Sequence, residues 1–319
     1  MVSMMRSRLP ALAPLAFVLA SACATPSASG SASTQPEPET SASAAIECKP
    51  VDTQTPAEIT SYEEGGIRIH SFVAPDSSSR TATHIVETET SLVLVDTQLL
   101  RDYAEQFRAY ADGIGKPISH VIVSHGHPDH YFGLEYFEDR PSFALEATHE
   151  DIRQRQKFHL KSHREAEGEC DAVTDRVRMP SEVLEPGEQE IGGVAFVFEQ
   201  VRRAEDDDQL VVRVPAAKTL ILQDLMATDA HAFTAAGMID SWIETLSSYA
   251  GEGEYTHVLA GHGAPVGGEG LEDMIAYLER SKVILAEASD GEDFGARMTA
   301  EFPERPGLYL VHLMARIKF

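Results

Sequence analysis

From residue 67 onward the apolar and polar positions fall into short strand-length blocks separated by helical-period segments. Ile67-Arg68-Ile69-His70-Ser71-Phe72-Val73 alternates, as a half-buried strand does. Ser91-Leu92-Val93-Leu94-Val95 is a buried-type run that ends at Asp96. Tyr103, Phe107 and Tyr110 recur at helical spacing with Gly113 just beyond, which predicts a helix over 101–111. Residues 118–123 read as another strand, and 131–137 as the start of another helix. A second set follows, with strands at 194–201, 210–214 and 219–222. Helices around 232–249 and 271–288 then flank a strand at 256–260. Strands with helices, given twice, predict an α/β sandwich carrying a site between its halves. No fixed-period repeat of the solenoid type interrupts that order.

Residues 147–180 differ in character. They are charged, contain His149, His159, His163 and Cys170, and lose their apolar period after Leu160. A helix followed by an irregular insertion, a candidate lid, is expected there. Its histidines lack ligand spacing, so solvated surface positions are expected for them rather than metal ligands.

The N-terminus reads as a targeting segment. Arg6 and Arg8 precede the apolar stretch Leu9–Ala20, which Pro10 and Pro14 interrupt and which is too short for a comfortable membrane span. Leu19-Ala20-Ser21-Ala22-Cys23 resembles a bacterial lipobox; an ordinary secretory signal cleaved nearby is the alternative. Ser, Ala, Thr, Pro and Glu dominate the residues that follow, so they cannot bury enough surface to offset their ordering entropy. The expected organisation is a signal at 1–22, a tether at 23–60 and one domain at 61–319. Membrane contact is expected only through a lipid on Cys23, at a periplasmic or cell-envelope location. Cys48 and Cys170 could then form a disulfide or remain as two thiols.

Composition narrows the partners. With 43% hydrophobic residues in 319, the chain can bury a sizeable core. A formal net charge of −25 disfavours nucleic acid, whose phosphates call for a basic surface. A small-molecule substrate is expected instead.

The candidate chemistry sits directly after the apolar run Val121-Ile122-Val123. His125-Gly126-His127-Pro128-Asp129-His130 puts four potential metal ligands within six positions, and Gly126 and Pro128 fit a tight turn. Imidazole with carboxylate suits zinc, iron or manganese, and the ligands are too many for one tetrahedral site. A His-rich surface turn is a poor account of such a cluster at the end of a buried strand.

The turn has the form H-x-H-x-D-H, and here the chain resembles a metallo-β-lactamase-fold hydrolase. Further segments match that family's order. They are Leu92-Val93-Leu94-Val95-Asp96-Thr97, Leu210-Val211-Val212-Arg213-Val214-Pro215, Leu220-Ile221-Leu222-Gln223-Asp224-Leu225 and Ala260-Gly261-His262-Gly263. The resemblance implies a four-layered αβ/βα sandwich. It implies that His125 and His127 bind a first divalent cation, that Asp129, His130 and His262 bind a second, and that Asp224 bridges both. Zinc is the expected metal, with iron or manganese as alternatives. Asp96 would orient a ligating imidazole from behind, or else cap the turn after its strand.

The chain departs from the family pattern where many members place another His before the Leu210 strand. Counting back from Pro215 and Asp224 puts Glu205 there, as in the alkylsulfatase branch of the same superfamily. Glu205 is then a ligand of the first cation, or else part of a solvated acidic turn over residues 205–208. Gln223 stands where a Gly is usual before the bridging Asp. The resemblance implies a bridging hydroxide as nucleophile, with Asp129 orienting it and passing a proton to the leaving group. An ester, lactone, lactam, thioester or sulfate ester would be cleaved. A mononuclear iron oxygenase of the persulfide-dioxygenase type, and a catalytically silent binding protein of the same fold, are the alternatives.

Overall fold

The computed structural model describes residues 51–166, 172–234 and 236–319. The expected signal and most of the expected tether, with Cys23 and Cys48, lie outside the described residues, as does Cys170.

Two sheets form the centre. The first takes β1 (Glu58–Glu64), β2 (Ile67–Val73), β3 (Ala82–Glu87), β4 (Leu92–Val95), β5 (Ile118–Ile122), β6 (Ser142–Ala144) and β7 (Glu182–Val183) in that spatial order. It is antiparallel up to β4 and parallel from β4 to β7. The second sheet runs β12 (His257–His262), β11 (Thr219–Ala227), β10 (Asp208–Val214), β9 (Val194–Arg202), β8 (Gly187–Ile191). Only the β11–β12 pair in it is parallel.

Period-two alternation sorts each central strand between two cores. In β4, Val93 and Val95 join the cluster between the sheets, while Leu92 and Leu94 face outward against α1 (Arg101–Ile114). In β11, Ile221 faces between the sheets while Leu220 and Leu222 face out. That outer face is covered by α4 (Ile239–Glu252), α5 (Gly270–Glu287), α6 (Gly291–Glu301) and α7 (Leu308–Lys318). Helices, sheet, sheet and helices give the expected four layers.

Several boundaries differ from the sequence reading. β1 begins at Glu58, inside the span expected to be tether, because Val51 and Ala57 already pack against the first sheet's outer core. The helix expected from 131 is a single turn, α2 (Pro128–Tyr131), that passes into a 3-10 turn over Phe132–Phe137. The helix expected from 232 starts at Ile239, since Gly237 takes a left-handed φ of 78° that a helix cannot contain. The charged segment opens with the expected helix, α3 (Glu146–Lys161), which continues into a π-helical turn over Ser162–Ala166, and residues 172–180 carry neither helix nor strand. His159 is buried there rather than solvated, its Nδ1 lying 3.1 Å from the Tyr131 hydroxyl. His149 is half-buried at the surface, its Nε2 3.0 Å from the Glu182 carbonyl.

Candidate metal centre

The centre lies where strands of both sheets end. β4 delivers Asp96, β5 leads into the turn His125–His130, β11 carries Asp224, β12 ends at His262, and the β9–β10 turn carries Glu205. Proline at the first helical position of α2 starts that helix directly after His127, so Asp129 and His130 face inward from its single turn. β11 breaks register with β12 on either side of Gln223, whose φ is 48°, and the break brings Asp224 to the centre. Gly261 on β12 is the complement of that bend. A Cβ there would stand 1.9 Å from Asp224 Oδ1, so no larger residue fits.

Glu205 sits at the tip of a five-residue turn, closed by Arg203 N donating to Asp207 O at 2.9 Å and Ala204 N to Asp206 O at 3.1 Å. The acids of this turn are not alike. Glu205 is 1% exposed and points into the centre, whereas Asp207 is exposed. Asp206 is buried and accepts from Arg155 at 3.0 Å. A uniformly solvated acidic turn is therefore excluded.

All seven expected ligands come together, in two clusters of four that share Asp224. In the first, His125 Nε2 lies 3.0 Å from His127 Nδ1, 3.7 Å from Glu205 Oε2 and 3.6 Å from Asp224 Oδ2. His127 Nδ1 is 3.4 Å from Glu205 Oε1. In the second, His130 Nε2 stands 3.1 Å from Asp224 Oδ1 and 3.5 Å from Asp129 Oδ1. His262 Nε2 is 3.4 Å from both Asp129 Oδ2 and Asp224 Oδ2. A tetrahedral zinc site with bonds of about 2.0–2.1 Å has ligand–ligand edges of about 3.3 Å. The observed spacings match such edges. His130 Nε2, Glu205 Oε1 and Asp224 Oδ1 are moreover buried without a hydrogen-bond partner, which costs free energy unless something binds them. The residues fit a pair of cations.

A surrounding layer fixes the donors. Asp96 Oδ2 lies 2.7 Å from His130 Nδ1, leaving Nε2 to face the centre. Asp96 in turn accepts from Ser124 N and Ser124 Oγ, both at 2.7 Å, and from the Gln223 amide. His262 Nδ1 donates to Ser79 O at 2.7 Å, and Gln209 Nε2 donates to Glu205 Oε2 at 2.6 Å. Thr81 Oγ1 donates to Asp129 Oδ2 at 3.3 Å.

Three carboxylates crowd four imidazoles here. Burial opposes a charged His127, but Glu205 and Asp224 outweigh it and push the imidazole up to about 10. Burial is likewise overcome at His262, raised to about 9 chiefly by Asp224. The centre attracts positive charge, and protons compete with metal for it.

The donors open onto a cleft of about 310 Å³. His127, Asp129, Asp224 and His262 form its polar floor; Leu99, Phe158, His159, Phe233, Tyr309, Leu310, Leu313 and Ile317 supply much of the rest. Sequence reasoning missed this wall. The run Leu308-Tyr309-Leu310-Val311-His312-Leu313-Met314, apolar nearly all round, is the signal that could have marked it.

A two-sheet sandwich with paired donor clusters at its strand ends defines a metallohydrolase-type fold. The chain belongs to the metallo-β-lactamase superfamily, whose family model matches residues 79–264. Solved structures with the same fold include a metallo-β-lactamase from Hirschia baltica, at 22% identity and TM-score 0.52, covering 70% of this chain and 98% of that one. One from Pontibacter korlensis has 18% identity and TM-score 0.56, covering 70% and 99%. FIM-1 from Pseudomonas aeruginosa, in its mono-zinc form, has 16% identity and TM-score 0.53, covering 73% and 98%. At these identities the likeness is one of fold. No curated protein matches the chain in sequence.

Proposed function

We propose that this protein is a metal-dependent hydrolase that cleaves a small-molecule ester-type bond with two divalent cations. The observation that carries this reading is the pair of four-donor clusters joined at Asp224, with buried unpartnered atoms in both. His125, His127, Glu205 and Asp224 would hold one cation, and Asp129, His130, His262 and Asp224 the other. When bound, such cations acidify a water toward neutrality and polarise the scissile oxygen.

The side chains supply the rest. Asp129 and Asp224 line the cleft, whereas Glu205 does not. Asp129, which accepts from Thr81, would orient the attacking water, take its proton and return it to the leaving group. Each cluster contains two imidazoles and two carboxylates, because Glu205 stands where a third imidazole would make the first site softer. That donor set accepts zinc and broadens the choice toward manganese or iron.

The test is hydrolysis of neutral esters and lactones by the zinc-loaded chain. Turnover should vanish on chelation and return with zinc or manganese. Turnover indifferent to chelator would contradict the proposal.

A further inference from the structure

α7 carries apolar side chains on two faces, and only one is used by the core. Val311 and Met314 are buried against α4–α6 and the second sheet. Tyr309, Leu313 and Ile317, at i, i+4 and i+8 with Leu310 beside them, line the cleft over the metal donors. Phe158 of α3 and Phe233 line it as well. The rim is left apolar in water: Phe158 is 70% exposed and Ile317 57%. Large exposed apolar groups bordering a cleft with a polar floor are what an apolar ligand portion covers.

Charge narrows the ligand further. Among the described lining residues, Arg155 is the only lysine or arginine. Its guanidinium is already held by Asp151 and Asp206. A substrate carboxylate or phosphate away from the reacting bond therefore meets no uncommitted arginine or lysine on the wall. A net charge of −25 repels anionic substrates at longer range as well.

We infer that the substrate is an amphiphile with a neutral ester or lactone head at the metal donors and an alkyl or acyl chain along α7 and Phe158. The inference rests on the hydrolase reading above. Water adds to the acyl carbon, the acyl C–O bond breaks, and the freed alkoxide oxygen takes the proton, giving a carboxylic acid and an alcohol.

The experiment has two arms on the full chain. The first measures kcat/KM of the zinc-loaded protein for p-nitrophenyl esters from acetyl to decanoyl and for γ-lactones with alkyl chains of increasing length. The second measures displacement of the neutral fluorophore N-phenyl-1-naphthylamine by n-alkanols, with and without zinc. The account expects kcat/KM and alkanol affinity to rise with chain length, by up to about fourfold per buried methylene. Phe158→Ser, at a largely exposed site, and Leu313→Ser should both flatten those slopes. A flat ester profile with short esters still cleaved overturns the inference and leaves the hydrolase reading standing. If no ester or lactone is cleaved, the hydrolase reading fails. The alkanol arm then decides: chain-length-dependent displacement supports the apolar site, and none overturns it.

Discussion

Gln223 donates its side-chain amide to Asp96 Oδ2, the oxygen that also lies 2.7 Å from His130 Nδ1. The residue before Asp224, which both donor clusters share, thus reaches across to the opposite sheet and steadies an imidazole of the second cluster. Its φ of 48° explains why a glycine is the usual occupant there, since a side chain in the left-handed region costs roughly 1–2 kcal/mol. A buried hydrogen bond to a charged acceptor, of about 1.5–3 kcal/mol, offsets that cost.

Asp96→Asn should weaken zinc binding by roughly 10–100-fold, the usual effect of losing a partner behind a metal ligand. Gln223→Gly should do less, because both Ser124 donors to Asp96 remain. Competition against a chelator of known affinity measures both. Wild-type affinity in Asp96→Asn would refute its positioning role.

Glu205→Ala should lower metal affinity and hydrolysis by at least about 10–100-fold, since losing a ligand costs no less than losing its support. Asp207→Ala, two residues away and exposed, should change neither by more than about twofold. Asp206 is no control, because it is buried and paired with Arg155. Metal titration of both variants checks this, and equal small effects would refute the ligand role of Glu205.

Stability should also fall on mild acidification through a buried histidine that belongs to neither donor cluster. Burial, reinforced by the Arg305 guanidinium, pulls His231 down from 6.5 to about 4. The unfolded chain therefore takes up this proton first as pH drops, and folding loses stability between about 6.5 and 4. The loss from this residue should be about 1.4 kcal/mol between pH 7.5 and 5.5, with little change above pH 7.5. His231→Gln should remove that slope in urea unfolding of the metal-free chain. An unchanged slope would show that His231 is not held neutral.

The central strands were legible because alternate residues bury on different cores, as Leu92 and Leu94 do against Val93 and Val95. β1 and β8 were not, since these sheet-edge strands keep polar side chains in water and show no apolar period. β3 hid behind Thr83 and His84, polar residues buried by hydrogen bonds rather than by hydrophobicity. All seven candidate ligands and Asp96 were readable, because each sits in a short segment at or near the end of a strand. Their partners Ser79, Thr81 and Gln209 were not, since only tertiary folding brings them to the ligands. The cleft wall failed for the same reason: Phe158, Phe233 and Leu313 come from three separated parts of the chain. Composition alone does not say which carboxylate of the acidic run at 205–208 turns inward; the register counted back from Pro215 and Asp224 is what singled out Glu205.

Metal stoichiometry tests the account most directly. Asp224 is the one carboxylate common to both donor clusters, within 3.1 Å of His130 and 3.6 Å of His125. Elemental analysis of the purified chain, after dialysis against trace zinc, should find two metal atoms per chain. Asp224→Ala should retain fewer than one while keeping its fold by circular dichroism. A wild-type chain that saturates at one metal, or an Asp224→Ala chain that keeps two, would contradict the shared-carboxylate centre.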